Sequence, residues 1–425
     1  MKKIPLIVSG VLALLLCACG DSTIGLTASP DPVAPPSVAS EIPFPPTPDP
    51  DAFYAQPNPM PDVLPGTVLN SRESTFQPSG VLQPNPAWQI QYMTRDVNGH
   101  PLAAVATVVS PMIPAAGTAP LVSYQFAYNS LGASCTPSRS LAGGTDNNNV
   151  LLETGLYIAG LQTQGWTMVF PDFEGPYHAY AAGKPSGQAV LDGIRAALSF
   201  EPLGLNADTP VGMWGYSGGG LATSWAATLQ PSYAPELNIV AAASGGTPAD
   251  VFSVVQAAED TTFFPLIFTA LAGVNRAYPQ LLPKTLLNDA GLAAMEAVRD
   301  GCVGAGGPDG RLADFTTAAD PYNTPGALDV HTKTTLPQAG MSPTINMYIY
   351  HEIVDELVPI AATDAMVDAW CAAGTPLAYL RSPTGEHISG LVIGAPAAMA
   401  YLIGRFNDSP INPTLPAPVT KICNQ

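Results

Sequence analysis

Apolar and polar positions change period along this chain, and the changes mark its organisation. Trp88-Gln89-Ile90-Gln91-Tyr92-Met93-Thr94 alternates, which is the two-residue period of a half-buried strand. Asp96-Val97-Asn98-Gly99-His100 supplies turn chemistry, and residues 102–109 are apolar and rich in β-branched side chains, so an antiparallel hairpin is predicted. Short apolar runs at 121–126, 167–170, 211–214, 239–243, 345–350 and 377–380 read as further strands. Longer stretches at 149–164, 187–200, 218–229, 361–373 and 389–406 fit helices. Strand-helix alternation after an opening hairpin argues for an α/β fold with a mostly parallel sheet covered on both faces.

Between residues 246 and 336 this rhythm breaks. Helical pieces such as 286–298 are interrupted by Pro265, Pro279, Pro283 and the glycine-rich run 301–310. The segment is expected to be an inserted helical cap above a sheet domain built from 67–245 and 337–425. Its run Phe263-Phe264-Pro265-Leu266-Ile267-Phe268 is too short to cross a membrane. It reads as the core of the cap or as a lid surface facing an apolar substrate.

The N-terminus has a different character. Met1-Lys2-Lys3, the apolar run 4–16 and Leu16-Cys17-Ala18-Cys19 have the anatomy of a signal peptide over residues 1–18. The last four also resemble a bacterial lipobox, in which Cys19 would carry a lipid that anchors the protein without spanning the membrane. Residues 19–66 are crowded with proline and poor in long apolar side chains, so they are expected to form a tether. Its part from Phe53 is open to lying on the fold as an arm.

Composition sharpens the picture. With 425 residues and only 11% charged side chains, the chain is too apolar for disorder. A formal charge of −18 repels phosphate backbones and excludes a nucleic-acid partner. Loss of residues 1–18 would remove Lys2, Lys3 and no acid, which takes the charge to −20. Four cysteines remain beyond Cys19, namely Cys135, Cys302, Cys371 and Cys423. In an exported chain an even number favours two disulfides, with three possible pairings. They lack C-x-x-C spacing, so a metal site is not expected.

Candidate chemistry centres on Gly215-Tyr216-Ser217-Gly218-Gly219, which follows a predicted strand and opens a predicted helix. A serine at such a turn projects its Oγ at the carboxyl end of the sheet, and the flanking glycines keep Cβ atoms from colliding with adjacent elements. The N–H of Gly218 would donate to an oxyanion. Serine needs a base within hydrogen-bond reach and an acid to orient that base. On this scaffold both follow the serine, each on a loop after a later strand. Of the five histidines, His100 and His178 precede Ser217, His331 falls in the insertion, and His351 ends a strand where the acid belongs. His387, in the loop after the strand 377–380, is the candidate base. Asp355, in Asp355-Glu356-Leu357-Val358-Pro359 one strand earlier, is the candidate acid, with Glu352 and Glu356 as weaker alternatives expected to be solvated.

The elbow, Tyr233-Ala234-Pro235-Glu236-Leu237-Asn238-Ile239-Val240, Gly245-Gly246-Thr247-Pro248, the Asp355–Pro359 segment and Glu386-His387 together resemble the secretory lipase family of the α/β-hydrolase superfamily. The resemblance covers most of residues 122–404. It implies an α/β-hydrolase with a helical cap that acts on carboxylic esters, often triacylglycerols, through Ser217, Asp355 and His387. It also implies that Asp172, in Phe170-Pro171-Asp172-Phe173-Glu174-Gly175, helps form the oxyanion hole, by its backbone N–H or as a protonated acid. Ser134-Cys135-Thr136-Pro137-Ser138 resembles the family's first half-cystine site. From the resemblance, Cys135 is paired with Cys302, pinning the insertion, and Cys371 with Cys423, fastening the tail beside the His387 loop. The lipobox, the proline-rich tether, the insertion and the tail from Asp408 depart from the family pattern.

The expected protein is therefore an exported serine lipase or carboxylesterase, lipid-anchored in the bacterial cell envelope or secreted. It would need no metal or cofactor and act as a monomer on an ester or lipid substrate. A peptidase or acyltransferase on the same scaffold is the nearest alternative; a non-catalytic envelope lipoprotein that binds a ligand is the alternative from another class.

Overall fold

In the computed structural model of the protein, residues 42–115, 119–159, 163–407 and 421–424 are described, 156–159 by backbone alone. The expected signal peptide, Cys19, the first part of the proline-rich segment and residues 408–420 of the tail lie outside the described residues.

Ten strands form one sheet: β1 Val68–Phe76, β2 Gln83–Arg95, β3 Pro101–Val109, β4 Leu121–Gln125, β5 Thr167–Pro171, β6 Val211–Tyr216, β7 Ile239–Gly245, β8 Asn346–Glu352, β9 Leu377–Ser382 and β10 Lys421–Cys423. Their order is β1-β2-β3-β5-β4-β6-β7-β8-β9-β10. From β5 to β9 every neighbouring pair is parallel. The three leading strands and β10 pair antiparallel. Such a parallel centre is buried on both faces, and β4, β5 and β6 are buried throughout. Two edge strands had no clear signal in the chain. Polar and charged residues such as Arg72 and Glu73 mask the period of β1, as suits an edge, and β10 has only three residues.

The helices are α1 Pro137–Leu141, α2 Asn148–Ala159, α3 Gly183–Ser199, α4 Gly218–Tyr233, α5 Val251–Ala258, α6 Phe264–Ala277, α7 Asp289–Val298, α8 Pro325–Thr334, α9 Ile360–Ala372 and α10 His387–Phe406. The four from α5 to α8 fall between β7 and β8, within the inserted segment. The run 263–268 serves both expected ends. Phe264 and Phe268 pack on Phe315, with ring centroids 6.1 and 5.2 Å away, while Leu266 and Ile267 line the pocket over Ser217.

Residues 42–66 are not a tether. Ile42, Phe44 and Phe53 are buried. Gln56 exchanges hydrogen bonds with the backbone of Ala103 at 2.8 and 2.9 Å, Gln91 donates to the carbonyls of Phe53 and Ala55, and Thr47 donates twice to Asp300 at 2.7 Å. Asp49 pairs with Arg139. These aromatic and polar anchors, spaced between the prolines, hold an otherwise apolar-poor segment against the sheet, α1 and the inserted segment, so any tether ends before Ile42.

Cys135 is bonded to Cys302 and Cys371 to Cys423. The first bridge ties the inserted segment to the loop after β4 across 167 residues, a constraint worth roughly 2–4 kcal/mol. The second corrects an expectation about place. Cys423 pairs with Leu377, the first residue of β9, whereas the His387 loop leaves the strand's other end. The tail is therefore fastened away from the candidate base.

Candidate active site

Ser217 stands between β6 and α4 at φ 51°, ψ −120°. That left-handed backbone costs about 1–3 kcal/mol for a residue with a Cβ. It is held by packing: the Ser217 N–H donates to Gly245 O on β7 at 2.9 Å, and at Gly219 any Cβ would lie 1.9 Å from Gln125 O. Only glycine lets α4 come this close to β4. The Gly218 N–H lies in the first turn of α4, where backbone donors have no acceptor within the helix.

The two later strands deliver the partners. Asp355 lies on the turn after β8, and its Oδ1 accepts from the N–H groups of Leu357 at 3.0 Å and Val358 at 2.6 Å. His387 opens α10. Glu386 caps that helix, accepting from the N–H groups of Ile388 and Ser389 at 2.9 Å. The His387 Nδ1 lies 2.7 Å from Asp355 Oδ2, and Nε2 lies 2.8 Å from Ser217 Oγ. The Asp355 carboxylate and the imidazole are buried. Burial alone would raise the Asp355 pKa. Hydrogen bonds from His351 and His387 and from the Val358 N–H outweigh it, so the carboxyl stays well below the ordinary aspartate range.

Three neighbours acquire roles that spacing did not reveal. His351 is fully buried behind Asp355, with Nε2 3.1 Å from Oδ2 and Nδ1 2.9 Å from Thr363 Oγ1. Glu356 is exposed, yet its Oε2 accepts the His387 N–H at 3.0 Å. Glu352, expected to be solvated, is 1% exposed. His100 and His331 are surface residues paired with Asp96 and Asp250.

Asp172 does not face Ser217. Its N–H donates to Val105 O at 2.9 Å, extending the pairing of β3 with β5. Its carboxyl accepts from the Ser138 N–H at 2.9 Å and the Ser138 hydroxyl at 2.5 Å. Burial raises this carboxyl to about 7 despite those donors. It lines a cavity of about 460 Å³ roofed by Pro45, Pro46 and Pro48. Neither route imagined for an oxyanion donor is open, because both groups are already committed.

Asn129, unlike Asp172, borders the Ser217 pocket. It sits in the loop after β4 at φ 46° and is 5% exposed with no hydrogen-bond partner at Oδ1. Its carboxamide abuts Gly218, where an added Cβ would lie 2.1 Å from Oδ1. The one signal available in the chain was an asparagine in a loop, a residue that tolerates left-handed backbone.

The pocket over Ser217 is mainly apolar and small, with about 30 Å³ free among Val251 and Val254 of α5 and Leu266, Ile267 and Ala270 of α6. Among the described residues no group of three or more His, Cys, Asp or Glu could hold a metal ion. A hydroxyl on an imidazole, an imidazole on a carboxylate and an apolar slot form an arrangement suited to acyl transfer from an apolar ester.

Comparison with known proteins agrees. The secretory lipase family profile matches residues 149–413. Lipase 5 of Candida albicans is 35% identical over 86% of this chain and 82% of its own. A probable inactive lipase of Mycobacterium tuberculosis is also 35% identical, over 86% and 83%. Among solved structures, Candida antarctica lipase A in its closed state superposes with a TM-score of 0.81 at 28% identity, covering 88% of this chain and 90% of that one. With its α/β-hydrolase sheet, inserted helices and disulfides, this ester hydrolase belongs to the secretory lipase family.

Proposed function

We propose that the protein is an exported serine lipase or carboxylesterase that works through an acyl-enzyme. The observation that carries the reading is the continuous relay from Ser217 Oγ through His387 to Asp355, at 2.8 and 2.7 Å. Ser217 Oγ bonds to the ester carbonyl carbon as its proton passes to His387 Nε2. The oxyanion is met by the Gly218 N–H and by the Asn129 Nδ2 amide group, the donor end of that side chain. As the carbon–oxygen bond to the alcohol breaks, His387 returns the proton to the leaving oxygen. Water then repeats the sequence on the acyl-enzyme and frees the acid. Asp355 stays ionised throughout and keeps the imidazole in the tautomer with its proton on Nδ1.

The apolar lining supports acylglycerols or other lipid esters as substrates. Its small free volume means that α5 and α6 have to move apart before a long chain can enter. The first test is hydrolysis of p-nitrophenyl esters from acetyl to palmitoyl, with fluorophosphonate labelling beside it. A folded protein that is neither labelled nor active would sink this reading and favour the binding lipoprotein, an outcome the inactive relative keeps in play.

The oxyanion assignment has its own test. Asn129→Ala is expected to lower kcat roughly 10²–10³-fold, as loss of one oxyanion donor does, while Asp172→Asn leaves kcat unchanged. The reverse pattern would return the role to Asp172. Anchoring through Cys19 rests on the lipobox-like segment alone; radiolabelled fatty acid fed to a bacterial host should enter the wild type and not Cys19→Ala.

A further inference from the structure

Glu352 ends β8, three residues before Asp355, and its carboxyl lies beneath the helix that begins at His387. Space for it exists because residue 390 is glycine: a Cβ there would sit 2.1 Å from Glu352 Cδ. Glycine in the first turns of α10 lowers helix propensity relative to alanine, so the carboxyl and the glycine form a matched pair. The Oε2 atom lies 3.0 Å from Tyr216 Oη, and that Oη lies 2.7 Å from His387 O. Tyr216 directly precedes Ser217. One contact set thus links the strand carrying the nucleophile, the strand carrying the acid and the residue carrying the base.

Counting protons decides its chemistry. Tyrosine has one O–H hydrogen, and the His387 carbonyl can only accept, so at the shorter distance the phenol donates there. An ionised Glu352 would then set an oxygen lone pair against the lone pairs of Oη. A protonated Glu352 donates to Oη and completes the chain. The second oxygen, Oε1, is buried without a partner, which costs a carboxylate far more than it costs a neutral acid. We propose that Glu352 is a positioning residue that acts as a neutral carboxylic acid, donating to Tyr216 so that Tyr216 holds the His387 backbone in place for catalysis. The inference rests on the reading of His387 as the base.

The surroundings agree. Burial raises the Glu352 carboxyl above the ordinary glutamate value and the Asp355 charge adds to this, against the Tyr216 hydrogen bond, a hydrogen bond from the residue's own backbone, and His351. Tyr216 on β6, Tyr348, Tyr350 and His351 on β8, Asp355 on the following turn and His387 on α10 are the titratable groups facing it. None is a lysine or arginine that would stabilise the anion. Because the folded value is raised, the acid favours the folded enzyme at low pH, and that benefit fades as pH rises from the unfolded glutamate value through the folded one. Ionisation at high pH would put charge under α10 and loosen His387.

Infrared difference spectra of the mature enzyme at pH 7, wild type minus Glu352→Gln, test this directly. A protonated-carboxyl carbonyl band present in the wild type and lost in the variant is expected, and Tyr216→Phe, which removes the acceptor, should shift that band. Spectra with no such band overturn the proposal whether or not any ester is hydrolysed, so this failure is distinct from failure of the lipase reading. In kinetics, Glu352→Ala and Tyr216→Phe should each lower kcat roughly 10-fold with KM little changed, the effect of one lost hydrogen bond. Glu352→Gln, whose amide can donate to the same Oη, should restore most of the kcat and remove the alkaline fall in the kcat–pH profile. A Gln variant as poor as Ala would show that the anion is needed and overturn the assignment.

Discussion

Ser217→Ala should lower kcat for ester hydrolysis by roughly 10⁶-fold while leaving KM within a small factor, because it removes the covalent route and spares the apolar pocket. His387→Ala should cost nearly as much, and the double variant little more, since the two groups act as one unit at 2.8 Å. Stopped assays on a short-chain p-nitrophenyl ester, with active sites counted by fluorophosphonate, measure all three. Additive losses in the double variant would show that Ser217 and His387 do not share a step. A residual rate above that of water is expected to survive, because the Gly218 and Asn129 donors remain.

Asp355→Asn should lower kcat roughly 10⁴-fold with folding intact. The carboxamide preserves shape, yet its Oδ1 and Nδ2 face four contacts that a carboxylate satisfies alone: His387, His351, and the N–H groups of Leu357 and Val358 on the two oxygens. A wrong orientation turns the imidazole proton to Nε2, where it blocks the base. The same substitution predicts a pH effect. The folded pKa of Asp355 lies below its unfolded value near 4, so its stabilisation is fully present above that pH and is lost as pH falls towards the folded value. The Tm difference between wild type and Asp355→Asn should be constant from pH 5 to 8 and shrink below about pH 4. A difference that grows in acid would mean that the carboxyl is not held ionised.

Local pattern and chain order already made much of this protein legible. A strand followed by a glycine-flanked serine and a helix is a short-range signal, and it located Ser217. Asp355 and His387 followed because acid and base sit on loops after successive parallel strands, so topology alone orders them along the chain. The hairpin 88–109, the central strands and the break between residues 246 and 336 came from periodicity, which reports burial. Cysteine pairing came from family resemblance, and no spacing rule could have chosen among three possibilities.

What the chain by itself determined, then, is the fold, the turn carrying Ser217 and the order of the proposed triad, because each depends on contacts between neighbours in sequence or on strand order. Tertiary structure alone decided the rest. Asp172 looked available until β3 and Ser138 used its donor and acceptor groups. Asn129 carries no motif in the chain, and only the packing of α4 brings Gly218 against it. Prolines suggested a free tether, but Phe53, Gln56 and Thr47 find partners far along the chain, and Glu352 looked solvated until Gly390 opened a space beneath α10. In each case the deciding interaction joins residues tens to hundreds of positions apart, and whether a polar group is free or satisfied is a property of that joining, which no local pattern encodes.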